Sequence, residues 1–375
     1  MDYSDYGHQN SNYFTLTKHK IYLLIKNKKM GGVNMYISSV ETYLLGTNIT
    51  NKELGELINF KPQLIEKLFG NYGRHFSTDI LTGKINNNTS DLISIVLRKL
   101  IEKNKNSHHD IDFIITSTAT PDHLLPTSIN EACYKLGIKN IETYQIIGGC
   151  SGAVQALNLA KYILKSGLHK KGILVGVECS NKFLNLLDSG NQKTDTREIV
   201  NYVLFGDGVG GCILSSEETR NSLTINEVSY KYIGLDEKIG QLANWKGTRE
   251  NMNHSPMLQE EYKLIEKIVP ELTQDSFKSF LSENNLKISD KMWLMPPQLS
   301  GKMVDVICKK IEFPETHILS RVADIGNCAN AALFFQLKEF FDVANDGEDG
   351  IAISIESSRW LTSRVHVKKG GKCAK

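Results

Sequence analysis

Ile147-Gly148-Gly149-Cys150-Ser151-Gly152-Ala153 is matched further along the chain by Ile325-Gly326-Asn327-Cys328-Ala329-Asn330-Ala331. Downstream of each, Gly172-Ile173-Leu174-Val175-Gly176-Val177-Glu178-Cys179-Ser180 resembles Gly350-Ile351-Ala352-Ile353-Ser354-Ile355-Glu356-Ser357-Ser358. Upstream, Asp112 precedes the apolar run Phe113–Ser117 as Asp290 precedes Met292–Met295. All three pairs lie 178 residues apart, so the chain reads as two copies of one arrangement.

Each copy predicts the same order. A buried strand leads to a helix, then a turn of small residues opens a long apolar helix, then a second buried strand follows. In the first copy the helix is expected over 151–167, with Ala153, Ala156, Leu157, Ala160, Ile163 and Leu164 at three-to-four spacing and Gly167 as its stop. In the second it is expected over 329–343. The strands Ile173–Val177 and Ile351–Ile355 are almost wholly apolar, as strands covered on both faces are. Alternating strands and helices give an α/β class. Two such halves predict five layers, αβαβα, with helices outside two sheets and a helical layer between them, the halves related by a pseudo-two-fold. The expected divisions are a disordered leader over 1–34, a first half over 35–215, a second half over 216–367 and a basic tail over 368–375. The leader is polar, then basic from Lys18 to Lys29, and also reads as sequence upstream of a start at Met30 or Met35.

Cys150 is expected between a strand ending near Ile147 and the N-terminus of a helix. Partial positive charge and unpaired N–H groups gather there, so a thiol is expected to lose its proton more readily and attack as thiolate. The neighbouring glycines let a carbonyl approach, and the N–H groups of the turn suit the oxyanion of a tetrahedral intermediate. A buried packing cysteine fits the turn equally well. In the other copy, Asn327 offers an amide donor and acceptor near the same place, or a helix cap. Phe205-Gly206-Asp207-Gly208-Val209-Gly210-Gly211 lacks the spacing of a phosphate loop and reads as a turn entering a strand.

Composition narrows the classes. The 375 residues are 41% hydrophobic and 23% charged, with net charge +2, which gives no basic face for nucleic acid. The longest apolar runs, such as Ile21–Ile25, are too short to span a bilayer. The seven cysteines stand singly, without zinc spacing or a secretory signal, and predict a reducing cytoplasm. No metal and no cofactor is expected, and neither nucleic acid nor membrane as a partner.

At these residues the chain resembles β-ketoacyl-acyl-carrier-protein synthase III and its relatives in the thiolase superfamily. The likeness runs from about Met35 to Val367. Its pieces stand in family order: Met35–Gly46, His123-Leu124-Leu125-Pro126-Thr127, the Cys150 turn, Gly172–Ser180, Phe205–Gly211, Pro296-Pro297-Gln298 and Gly326-Asn327. The resemblance implies a homodimer of thiolase-like fold. It implies that Cys150 takes an acyl group from a thioester, and that Asn327 helps to hold a malonyl carbonyl for decarboxylation. It places Leu125 on a loop closing the partner's acyl pocket, with Ser151 and Gly326 beside the substrate.

Two departures matter. The family motif Pro-His-Gln stands here as Pro296-Pro297-Gln298, and proline donates no hydrogen bond. Losing one such donor costs about 100- to 1000-fold in turnover. His254 and Gln298 are the candidates to replace it. Leu64 and Leu68 stand where relatives that use coenzyme A have the Trp and Arg that stack its adenine. That favours an acyl-carrier protein as donor.

The expected function is therefore an acyltransferase in specialised-metabolite or fatty-acid-related biosynthesis, passing an acyl group from Cys150 to a small-molecule or carrier-bound acceptor. The alternatives are a decarboxylating synthase with a substituted His, and a non-catalytic subunit paired with an active homologue.

Overall fold

Phe113 and Ile115 point to one side of strand β4 (Phe113–Thr118) and Ile114 to the other, and all three are buried. The same alternation divides β6 (Lys171–Glu178): Leu174 enters a central core, while Ile173, Val175 and Val177 enter an outer one. Strands apolar on both faces need a helical layer on each side. The computed structural model describes residues 34–104, 107–183, 196–235, 238–244 and 258–370. The expected leader lies outside them but for Asn34.

The first half comprises β1 (Met35–Tyr43), a small ribbon of β2 (Ile49–Thr50) and β3 (Gly73–Arg74), helices α1 (Asn51–Ile58), α2 (Pro62–Phe69) and α3 (Thr89–Lys103), then β4, α4 (Ser128–Leu136), β5 (Glu142–Ile147), α5 (Gly152–Lys165), β6, α6 (Thr196–Leu204) and β7 (Gly208–Ser215). The second comprises β8 (Leu223–Tyr232), a ribbon of β9 (Gln241–Ala243) and β10 (Leu258–Glu260), α7 (Tyr262–Glu283), β11 (Met292–Met295), α8 (Gly301–Ile311), α9 (Val322–Ile325), α10 (Ala332–Val343), β12 (Asp349–Glu356) and β13 (Leu361–Lys369). Lys368 and Lys369 of the expected tail belong to that last strand.

The strand order is β5-β4-β6-β7-β1 in the first half and β11-β12-β13-β8 in the second. A parallel bridge from Leu294 to Ile318 fills, beside β11, the place that β5 holds beside β4. The halves thus repeat one topology. Helices α3 and α4 cover the outer face of the first sheet, and α7 and α8 that of the second. Helices α5 and α10 lie between, through Ala153, Ala156, Leu157 and Ala160 on one and Leu333, Phe334, Leu337 and Phe340 on the other. These are the five thiolase-like layers expected. The two sheets are not separate: Met35–Ile37 of β1 pairs with Leu223–Ile225 of β8, so nine strands form one continuous ladder among the described residues. A register shift between Ile37 and Ser39 lets β1 serve both neighbours.

The second long helix begins later than its pattern predicts. Ala329–Ala331 forms a tight 3-10 turn before α10, with Ala329 at φ +38°. The Ala329 N–H is taken by Asn327 Oδ1 rather than by helical pairing. This turn presses on the inner face of β6, where a Cβ on Gly176 would lie 2.1 Å from the Asn330 carbonyl oxygen and 2.7 Å from the Phe334 ring. The nearest atoms are Asn330 backbone and a buried aromatic ring, neither of which yields easily. Gly176→Ala is expected to lower stability by about 3 kcal/mol. Denaturant unfolding reads this directly, and an unchanged midpoint would show that the turn moves aside at no cost.

Candidate active site

The Cys150 turn is built by both halves. Gly148 donates its N–H to the Thr118 carbonyl at the end of β4, and Gly152 donates to Gly149 as the helix opens. From the second half, Asn330 donates from Nδ2 to the Gly148 carbonyl at 2.7 Å and to Glu178, while Ser117 Oγ donates to Asn330 Oδ1 at 2.6 Å. Gly152 holds the position in the first copy that Asn330 holds in the second. A Cβ there would lie 2.5 Å from Asn330 Oδ1, so the missing side chain of one copy makes room for the side chain of the other.

Asn327 is fixed in the same way. Its N–H donates to the Leu204 carbonyl at 2.7 Å and its carbonyl accepts from Gly206, which seats it against the turn at Phe205–Gly211. That turn is a dock, entering β7 as expected. Gly326, at φ +75°, is needed here twice over: its backbone lies in the left-handed region, and a Cβ would meet Gly206 N at 2.9 Å. With Oδ1 held by the Ala329 N–H, the Asn327 side chain hydrogen-bonds the Cys150 thiol. Cys328, the counterpart of Cys150, is fully buried, with Sγ 3.7 Å from the carbonyl oxygens of Ile325 and Gly326.

The thiol's surroundings differ from expectation. Burial, then the carboxyls of Glu356, Glu260 and Glu178, push Cys150 up to about 12, and the Asn327 hydrogen bond pulls the other way. The N-terminus of α5 does not make it an acidic thiol, because Glu356 Oε2 already accepts the Ser151 N–H at 3.3 Å. A carboxylate at that end offsets the positive charge that would have favoured a thiolate. Burial also raises Glu178 and Glu260 to about 7. Asp207, fully buried in the Phe205–Gly211 turn, is raised to about 6, again by burial.

A cavity of about 550 Å³ opens onto Cys150. Its walls are mostly apolar, among them Pro121, Leu124, Ile147, Phe205, Leu242 and Leu258, and its polar lining includes Glu178, Glu356 and Arg359. On the other side of Cys150 a much smaller space is bounded by Pro296, Pro297, Gln298 and Asn327. A volume of this size with few polar groups suits an organic ligand with an apolar body.

Cys150 and Asn327 therefore meet, and Pro297 stands beside them. Gln298 borders the small space but its amide braces the backbone: Nε2 donates to the Pro296 carbonyl, and Oε1 accepts from the N–H groups of Arg321 and Val322 at the start of α9. Ser151 is buried behind the turn, its Oγ accepting from Ser363. Neither Ser151 nor Gly326 lines the cavity. Leu125 is 83% exposed and outside this chain's cavity, which its neighbour Leu124 lines instead. Leu64 and Leu68 are exposed on α2. His254 lies outside the described residues. Among the described residues, no group of three His, Cys, Asp or Glu is placed to hold a metal, and no helix is long and apolar enough to cross a membrane.

Glu178 and Glu356 went unread in the sequence. The signal was in the repeat itself, which places a glutamate at the end of the second strand in both copies.

Comparisons with known proteins place the chain by sequence and by fold. Residues 144–231 match the family model of 3-oxoacyl-acyl-carrier-protein synthase III, and 281–353 match the model of its C-terminal part. The β-ketoacyl-acyl-carrier-protein synthase III of Clostridium perfringens strain 13 is 28% identical over 326 residues, 86% of this chain and 92% of that one. Among solved structures, AbyA1, a tetronic acid condensing enzyme, is 30% identical with a TM-score of 0.84, covering 89% of this chain and 99% of that one. The 3-oxoacyl-acyl-carrier-protein synthase III of Pseudomonas aeruginosa PAO1 superposes with a TM-score of 0.76 at 16% identity, over 91% of this chain and 100% of that one.

Proposed function

The chain belongs to the 3-oxoacyl-acyl-carrier-protein synthase III family of acyltransferases, and within it we propose an enzyme of specialised metabolism that holds an acyl group on Cys150 and passes it to an acceptor without decarboxylating a malonyl thioester. The observation that carries this reading is the pair Pro296-Pro297 bordering the space between Cys150 and Asn327. A decarboxylating site needs a donor for the malonyl carbonyl there, and proline has none. Acylation needs less. The sulfur attacks the thioester carbonyl of the donor, the oxyanion takes N–H groups of the turn, and the donor's thiol leaves with the proton that Cys150 gives up. Asn327 steadies the sulfur. The 30% identity to a tetronic acid condensing enzyme supports the assignment to specialised metabolism.

Leu64 and Leu68, exposed where an adenine would be stacked, support a carrier-protein donor over free coenzyme A. A homodimer is part of the reading. Edge strand β5 and the exposed Leu125, Tyr134 and Ile147 support it.

The test is intact-protein mass spectrometry after incubation with acyl thioesters on coenzyme A and on carrier protein, beside Cys150→Ala. A mass gain of one acyl group is expected on the wild type and on no Cys150→Ala sample, with malonyl thioester left unconsumed. Loss of carbon dioxide from malonyl thioester at an ordinary synthase rate would sink the non-decarboxylating reading. Native spectra of the same samples report the dimer, and a monomer mass would remove it.

A further inference from the structure

Passing an acyl group from sulfur to an acceptor requires something to take the acceptor's proton. Among the described residues lining the large cavity, the side chains suited to accept one are Glu178 and Glu356, since the guanidinium of Arg359 offers donors and no acceptor. Glu178 is closed off: its oxygens accept from Asn330 Nδ2, the Ala119 N–H and Thr120 Oγ1. Glu356 ends β12 directly against the nucleophile's turn, where a Cβ on Gly149 would lie 3.1 Å from its Cδ. Its Oε2 takes one long bond from the Ser151 N–H at 3.3 Å and its Oε1 takes one from Ser358 Oγ at 2.6 Å. A carboxylate has about four lone-pair sites, so lone pairs stay free on the cavity side.

We propose that Glu356 is the general base of the transfer step, taking the proton of an acceptor whose nucleophile is a hydroxyl or an acidic C–H. This rests on Cys150 carrying the acyl group. The acceptor X–H gives its proton to the Glu356 carboxylate as X attacks the carbonyl carbon of acyl-Cys150 and the X–C bond forms. The tetrahedral oxyanion collapses, the C–S bond breaks, and the departing sulfur takes the proton back from Glu356. The products are acyl–X and the free Cys150 thiol, with Glu356 a carboxylate again. A neutral amine attacks without such a base, whereas a hydroxyl or an acidic C–H needs one, so a base in this place suits oxygen or carbon acceptors.

The test separates the two half-reactions. Cys150 is loaded from the hexanoyl thioester of N-acetylcysteamine, the donor is removed, and loss of the acyl mass is followed in plain buffer, where water is the O–H acceptor, and in hydroxylamine, which cleaves thioesters without a protein base. Glu356→Gln is expected still to reach full loading, to lose its acyl group to water about 100-fold more slowly than wild type, and to lose the solvent deuterium isotope effect on that step. Hydroxylamine is expected to strip both proteins alike, and Glu356→Asp to recover part of the rate in water. If Glu356→Gln loses the acyl group to water as fast as wild type, or is slowed equally in water and hydroxylamine, Glu356 is not the base. Failure of wild-type Cys150 to load at all would instead remove the acyl-enzyme on which the proposal stands.

Discussion

At pH 8, Cys150 is expected to react with iodoacetamide about 30- to 100-fold more slowly than a free cysteine, with a rate still climbing tenfold per pH unit up to about pH 11. An ordinary thiol with a pKa of about 8.5 is partly thiolate at pH 8. Burial and the carboxyls of Glu356, Glu260 and Glu178 push Cys150 to about 12, which lowers its thiolate fraction by about three orders of magnitude. The more basic thiolate is the better nucleophile, and that returns between about one and two of those orders. The sign for Glu356→Gln follows. Removing a negative neighbour lowers the thiol's pKa, so alkylation at pH 8 speeds up. A wild-type rate that levels off by pH 8 would mean that the end of α5 outweighs the carboxyls. The resting enzyme on this account is a neutral thiol, whose proton leaves only with a thioester in place.

Stability is expected to fall as pH rises from 5.5 to 8. Glu178 and Glu260 at about 7 and Asp207 at about 6 hold protons more tightly in the folded chain than in the unfolded one, where carboxyls titrate near 4. Groups raised on folding stabilise it fully below their unfolded values and lose that contribution as pH climbs through the folded ones. The window is therefore about pH 4 to 7, and the loss between pH 5.5 and 8 is about 3 to 5 kcal/mol for the three together. Asp122 and Asp349 shift the other way but titrate below that window. Thermal unfolding at the two pH values measures the difference. Glu260→Gln should flatten the slope, since an amide keeps the neutral form at every pH. A midpoint that is level or higher at pH 8 would show these carboxyls to be ionised at neutral pH despite their burial.

What could be read from the chain alone divides along physical lines. The strands at 113–117, 173–177 and 351–355 and the helix at 151–167 announced themselves, because their periodicity reflects which faces are covered. The layer order followed from the repeat. The joint of β1 with β8 left no trace, since pairing partners far apart have no local signature. The thiol was misjudged for the same reason: the helix end beside Cys150 is adjacent in sequence, while Glu356 and Glu260 arrive from the other half. Gln298 stood as a candidate to replace the missing His, and only the fold shows its amide spanning Pro296 and the start of α9. Asn327 was legible because its counterpart turn is built on the same plan.

A protein made of two like units begins with a spare of everything. Cys150 and Cys328 hold one position, as do Glu178 and Glu356, yet one sulfur faces an open chamber and the other is sealed among carbonyls. Of the two sulfurs only that of Cys150 borders the large cavity, whereas both glutamates line it. Asn330 likewise fills the space that its counterpart Gly152 leaves. Redesign of this enzyme can use the same asymmetry at the sulfur alone: the packing around Cys328 can be altered while Asn327, Asn330 and Glu356 of the same half are kept.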